Sequence, residues 1–180
     1  HLLILTMHHI SSDGWSTEVL QRDFLETYSA LTIGKDPVLT GLPVQYSDFA
    51  QWQREQLRGK ELDRLLAYWK NQLSGELPAL RVPADFPRRP DPGNRGSQVR
   101  LRLSAELSRK AKDLAHPQNC TLFTVLLAAF QALLYRYTGS TDIVIGTPVA
   151  GRNRAELEPM IGLFINTLAL RADLSGDPPF

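Results

Sequence analysis

Between Pro78 and Gly96 the chain carries five of its twelve prolines, at 78, 83, 87, 90 and 92, together with Gly93 and Gly96. Neither a helix interior nor a central strand accepts that density, because each proline removes an amide donor and fixes its own φ. Residues 81–96 therefore read as a crossing between two stretches of regular structure, 1–80 and 97–180. On the first side Leu2 to Met7 is an apolar run without alternation, the pattern of a strand covered on both faces. Leu20, Phe24, Tyr28 and Leu31 then recur at helical spacing and stop before Gly34. Two more amphipathic helices are expected over 46–57 and 60–73, the second with Leu62, Leu65, Leu66, Trp69 and Leu73 on one face. Beyond the crossing, Val99, Leu101 and Leu103 alternate with Arg100 and Arg102 as in a half-exposed strand. Ser104 and Thr121 each offer a helix cap, the first helix running to about Ala115 and the second to Thr138 before Gly139. Strands are expected at Ile143 to Ile145 and Phe164 to Leu170, so the class is α/β.

Composition excludes several alternatives. With 43% hydrophobic residues and 20 Lys+Arg against 19 Asp+Glu, the chain is not of the disordered kind. A compact unit of 180 residues is expected to bury roughly 70% of its extended surface. A lone Cys120 excludes an internal disulfide and fits a reducing, cytoplasmic setting. No apolar run approaches the ~20 residues that span a bilayer, so no membrane partner is expected. Arg81 to Lys112 holds nine basic residues, among them Arg88, Arg89 and Arg95, against three acidic ones. Such a run is ordinarily a solvated face. A docking patch for an acidic partner is the sharper reading, and nucleic acid is disfavoured because no recognition motif accompanies the charge. The opening at His1 without Met, and the stop at Pro178-Pro179-Phe180, read as a piece of a longer polypeptide, expected to be inactive by itself.

The densest polar cluster at a strand end is His8-His9-Ile10-Ser11-Ser12-Asp13-Gly14-Trp15-Ser16. Adjacent strand side chains point to opposite faces, so one of His8 and His9 faces a given cavity and the other supports it. A neutral imidazole can take a proton near cellular pH. The bland reading is a pair of satisfied histidines. A metal reading of His9 and Asp13 needs a helix to align them, which the preceding strand argues against, so no metal is expected. Asp13 is a good N-cap for a helix at Trp15, and Gly14 is expected to supply a conformation or close approach that a Cβ forbids. Trp15, Trp52 and Trp69 read as core anchors within helical stripes. The chain has no G-x-S-x-G elbow and no phosphate loop.

This cluster resembles the HHxxxDG signature of condensation domains in nonribosomal peptide synthetases, relatives of chloramphenicol acetyltransferase. Tyr46-Ser47-Asp48-Phe49-Ala50-Gln51-Trp52-Gln53-Arg54 is similar to the family's YxDxAxWQR segment. Ile145 to Arg152, continued by Glu156-Leu157-Glu158 and Ile161 to Leu168, is similar to its GTPVAGRxxxELExxIGxFxNT segment, in the family's order. The resemblance implies chloramphenicol-acetyltransferase-like lobes, with 1–80 closing an N-terminal lobe and 97–180 opening a second. It implies amide formation between donor and acceptor aminoacyl thioesters on peptidyl carrier proteins, beside an adenylation domain. No cofactor is bound by the domain, since phosphopantetheine arrives on the carriers. By the same resemblance His9, His8, Asp13 and Gly14 are the catalytic candidates, Arg152 pairs with Asp13, and Trp15, Ser16 and Asn166 line a substrate channel. An epimerization domain, disfavoured by Trp15-Ser16 after the DG pair, and a carrier-docking module without catalysis are the alternatives. A cyclization domain is disfavoured because its signature lacks the histidine pair.

Overall fold

The computed structural model describes residues 2–77, 79–87, 93 and 96–176. Five α-helices, α1 (Gly14–Thr32), α2 (Tyr46–Gln56), α3 (Gly59–Gln72), α4 (Ala105–Ala115) and α5 (Leu122–Thr138), precede in sequence a two-stranded sheet of β1 (Asp142–Val149) and β2 (Asn166–Asp173). This is the α/β class the sequence pattern predicts. The helix starts are chemical: Asp13, Ser104 and Thr121 each accept the backbone N–H three residues on, answering a donor the helix itself cannot. Gly139 ends α5 at φ 68°, where a Cβ is costly. The Leu174 N–H donates to the Thr141 carbonyl while Gly146 lies beside Thr167, so β1 and β2 run antiparallel.

The chain divides into two compact units, His1–Gln72 with Gly146–Ala169, and Leu73–Ile145 with Leu170–Phe180. The first holds a core of Phe49, Leu157, Met160 and Phe164, with Val44 and Trp52 packed against it. The rings of Phe49 and Phe164 stand 4.7 Å apart and Tyr46 meets Phe164 edge-on at 5.2 Å, geometry that adds to simple burial. In the second unit α4 and α5 contact each other, Ala115, Val125, Leu134 and Ile143 are buried, and Arg171 grips Asp142 through Nε at 2.8 Å and Nη2 at 2.6 Å.

Residues 146–169 cluster with the first unit and 170–180 with the second. Within the crossing, Arg88, Arg89, Pro90, Asp91, Pro92, Asn94 and Arg95 lie outside the described residues, as do His1, Pro78 and 177–180. Two expected strands differ from expectation. Residues 2–7 and 99–103 form no ladder, and Leu101 is 89% exposed. A strand exists by virtue of its hydrogen-bonded neighbour. Among the described residues β1 and β2 find only each other. No single helix among these residues is long and apolar enough to cross a membrane.

Candidate functional site

The polar segment after Met7 turns before it becomes α1. The His8 carbonyl accepts both the N–H and the hydroxyl of Ser11, at 3.0 and 2.8 Å, and His8 Nδ1 accepts the Ile10 N–H at 3.1 Å. The result is a single 3-10 turn, His9–Ser11. His8 thus caps the turn. His9 Nδ1 lies 2.7 Å from the Ser12 carbonyl, an acceptor only, so Nδ1 carries the proton of the neutral ring and Nε2 keeps its lone pair. With Leu3, Leu5, Met7, Asp13 and Gly14, His9 lines a cleft of about 500 Å³.

Asp13 is the hub of the loop. Its Oδ1 accepts the Ser16 N–H at 2.8 Å and its Oδ2 the Phe164 N–H at 2.9 Å, tying α1 to a segment 151 residues away. Arg152 Nη2 stands 3.2 Å from Oδ1, and the two side chains are only 1% and 3% exposed. Burial by itself pushes the Asp13 carboxyl up, but hydrogen bonds from Ser16 and Phe164 N–H, the Ser16 hydroxyl and Arg152 outweigh it and hold the pKa at about 2, below the ordinary 3.8. Arg152 is held in turn by the Met160 carbonyl at 2.7 Å, by the Leu157 carbonyl, and by the Phe164 ring 4.0 Å beneath its guanidinium. Asp13 therefore serves as N-cap and as ion-pair partner at once.

Ser16, fully buried, sits inside this pair. Its Oγ accepts from Arg152 Nη2 at 2.8 Å and from the Gly162 N–H at 3.0 Å. Asp13 Oδ1 and the Gly162 carbonyl both wait at 2.7 Å for its one proton, so it donates to one of them at a time. Two glycines permit the approach. A Cβ on Gly162 would stand 2.3 Å from the Tyr46 ring, and one on Gly151, at φ +68°, would stand 2.1 Å from the Phe164 carbonyl oxygen. The Tyr46 hydroxyl donates to the Leu163 carbonyl at 2.8 Å. All three sequence motifs thus meet in the first unit.

Four expected placements change. Ser16 is a buried hub, bonded to Asp13 and to the Gly162 carbonyl, and it is absent from the lining of the His9 cleft. Asn166 is exposed, accepts its neighbour's Thr167 N–H at 2.8 Å, and is absent from the lining of the His9 cleft. Trp15 is 42% exposed, not a core anchor; its indole N–H donates to the Glu158 carbonyl at 2.9 Å, and it lines a second cleft of about 280 Å³ with Glu18, Pro148 and Ile165. Gly14 has no positive φ and no atom within 4 Å of where a Cβ would stand, so neither strain nor close approach accounts for it. Trp52 and Trp69 are half-buried, Trp52 beneath the Arg154 guanidinium at 4.7 Å. The pattern in the sequence did not reveal Ser16, Gly151, Gly162 or the Phe164 amide as parts of the loop's support. A glycine immediately before Arg152 was the one available signal. No three His, Cys, Asp or Glu side chains are grouped as a metal set among the described residues.

The condensation-domain family model matches residues 1–180. The chain is 49% identical to a component of the linear gramicidin synthase of Brevibacillus parabrevis over all of its own length, which is 2% of that protein. It is also 49% identical to enniatin synthase of Fusarium equiseti over 95% of its length and 6% of that protein's. The X-domain solved in complex with OxyB from teicoplanin biosynthesis superposes with a TM-score of 0.82 at 32% identity, covering 96% of this chain and 39% of that one. The chain thus spans a small fraction of the curated relatives it matches.

Proposed function

The chain belongs to the condensation-domain family, and from that premise we propose that it carries the histidine loop for amide formation between two carrier-bound thioesters in nonribosomal peptide synthesis. The acceptor amine attacks the donor thioester carbonyl; a C–N bond forms, the C–S bond breaks, and the amine's proton ends on the departing phosphopantetheine thiol. Donor and acceptor peptidyl carriers and a neighbouring adenylation domain are the partners this reading requires, and the chain itself holds no cofactor in it. The exposed Arg100, Arg102, Arg109, Lys110 and Lys112 support a carrier-docking surface.

The observation that carries the reading is the bond from His9 Nδ1 to the Ser12 carbonyl, which leaves Nε2 as the acceptor for the amine proton. Asp13 and Arg152 act through position: they hold the start of α1 against the Phe164 segment and touch no reactant. Most of the acceleration comes from aligning the two thioesters, with proton removal contributing about 100- to 10,000-fold. In the intact protein with preloaded carriers, His9→Ala should lower single-turnover amide formation by about that factor while the melting temperature holds. Undiminished product from His9→Ala would leave a docking role without catalysis as the better reading.

A further inference from the structure

The peptide group that joins Leu163 to Phe164 is held at both of its ends. Its N–H donates to Asp13 Oδ2 at 2.9 Å, and its carbonyl oxygen accepts the Tyr46 hydroxyl at 2.8 Å. One planar amide thus stands between the Tyr46 hydroxyl and the Asp13 carboxylate. An amide that accepts at oxygen shifts electron density away from nitrogen, so its N–H becomes a stronger donor. The neighbouring backbone groups go to the ion pair directly: the Met160 carbonyl accepts from Arg152, and the Gly162 N–H and carbonyl both meet Ser16. The Leu163 carbonyl goes to α2 instead. Tyr46 is the first residue of that helix, whose start is fixed by the Gln45 N–H donating to the Asp48 carboxylate at 2.8 Å. Its ring is set by Gly162, which leaves no room for a Cβ, and by the edge of Phe164.

We infer that Tyr46 is a positioning residue for the histidine loop: through the Leu163–Phe164 peptide its hydroxyl tightens the bond to Asp13, and through Asp13 it sets the orientation of His9. The last link is covalent. The Ser12 carbonyl that accepts His9 Nδ1 shares one peptide group with the Asp13 nitrogen, so a shift of Asp13 moves the acceptor that aims the imidazole. Resting on the amide-forming reading above, this link matters because Nε2 must meet the acceptor amine, and misalignment there costs rate. The ring supplies packing, and the hydroxyl supplies aim.

The test uses the intact protein with preloaded donor and acceptor carriers, comparing wild type, Tyr46→Phe, His9→Ala and the double variant. Tyr46→Phe keeps the ring and removes the donor alone. Its kcat for amide formation should fall by about 3- to 10-fold while KM for either carrier holds, and hydrogen exchange over residues 160–166 should quicken. In the His9→Ala background the same change should cost no further rate, because the hydroxyl acts through that imidazole. Fluorotyrosine at position 46, a stronger donor in the same ring, should slow exchange over 160–166 below wild type. An unchanged kcat in Tyr46→Phe overturns the inference, as does an equal fractional loss in the wild-type and His9→Ala backgrounds, the mark of a role in packing only. Unslowed exchange with fluorotyrosine overturns it too, even if Tyr46→Phe fails to fold. Wild-type protein that forms no amide defeats the functional reading instead, and the exchange comparison then still decides whether the Tyr46 hydroxyl holds the Phe164 amide.

Discussion

At the scale of single residues, Asp13 does the most and was the most legible. Its place just before a helical stripe announced a cap, and the motif resemblance announced its arginine; the structure joins the two roles in one carboxylate. What the sequence could not show was direction. Ser16 follows the cap by three positions, and only the far segment at Gly162 decides that it turns inward, while Asn166 bends back to its own neighbour's amide. The Asp13 pKa of about 2, against 3.8 when unfolded, makes stability depend on acid. The folded state lowers the pKa, so the stabilisation is complete above pH ~4 and is lost as pH falls toward 2, a difference of order 2 kcal/mol. Denaturant unfolding of wild type and Asp13→Asn between pH 7 and 2 should show the wild-type advantage shrinking across that window, and a pH-independent gap would refute the assignment. Asp13→Ala, which strands the Arg152 charge at 1% exposure, should cost about 3–5 kcal/mol, well beyond His9→Ala. Equal melting temperatures for these two variants would reduce Asp13 to a surface cap.

At the scale of elements, helices were readable throughout and strands only in part, β1 and β2 among them, for a physical reason. A helix closes its hydrogen bonds within itself, so the caps at Asp13, Ser104 and Thr121 and the stop at Gly139 placed α1, α4 and α5 to within a residue or two. Residues 2–7 and 99–103 have strand composition but no ladder partner among the described residues. The junction of α2 with the Gly151–Phe164 segment was equally hidden, because it depends on what two glycines leave out. Gly162→Ala would drive a methyl into the Tyr46 ring and should destabilise by about 1–3 kcal/mol, while Gly151→Ala adds left-handed strain of about 1–2 kcal/mol to a backbone clash. Gly14→Ala, at a helix start with open space, should be neutral or stabilising by up to about 1 kcal/mol. Three melting curves decide the ranking. A Gly162→Ala protein as stable as wild type would mean that Tyr46 does not bear on the loop.

For the whole molecule the arithmetic of surface is decisive. A compact protein of 20.2 kDa exposes about 8,800 Å², whereas this chain exposes 15270 Å². The extended chain would expose about 29,000 Å², so roughly half is buried where about 70% was expected from length alone. Length sets what a core can reach, but here each unit buries few large side chains. The first leaves Leu2 to Leu5, Phe24, Tyr28 and Leu31 in water, and the second leaves Phe86, Val99 and Leu101. So many large apolar side chains left in water drive association or demand a cover. The 180-residue chain in dilute neutral buffer should therefore bind a hydrophobic dye strongly and elute in size-exclusion chromatography with light scattering as a mixture above its monomer mass of 20.2 kDa. Amide exchange should be immediate over 2–7 and 99–103, which lack ladder bonds, and slow in the α1 turn held by Asp13 and in β1. The same peptides measured in the intact protein should gain protection at 2–7 first, since that run carries the apolar wall of the His9 cleft. A dye-silent monomer whose residues 2–7 already resist exchange would show that the chain covers this surface by itself.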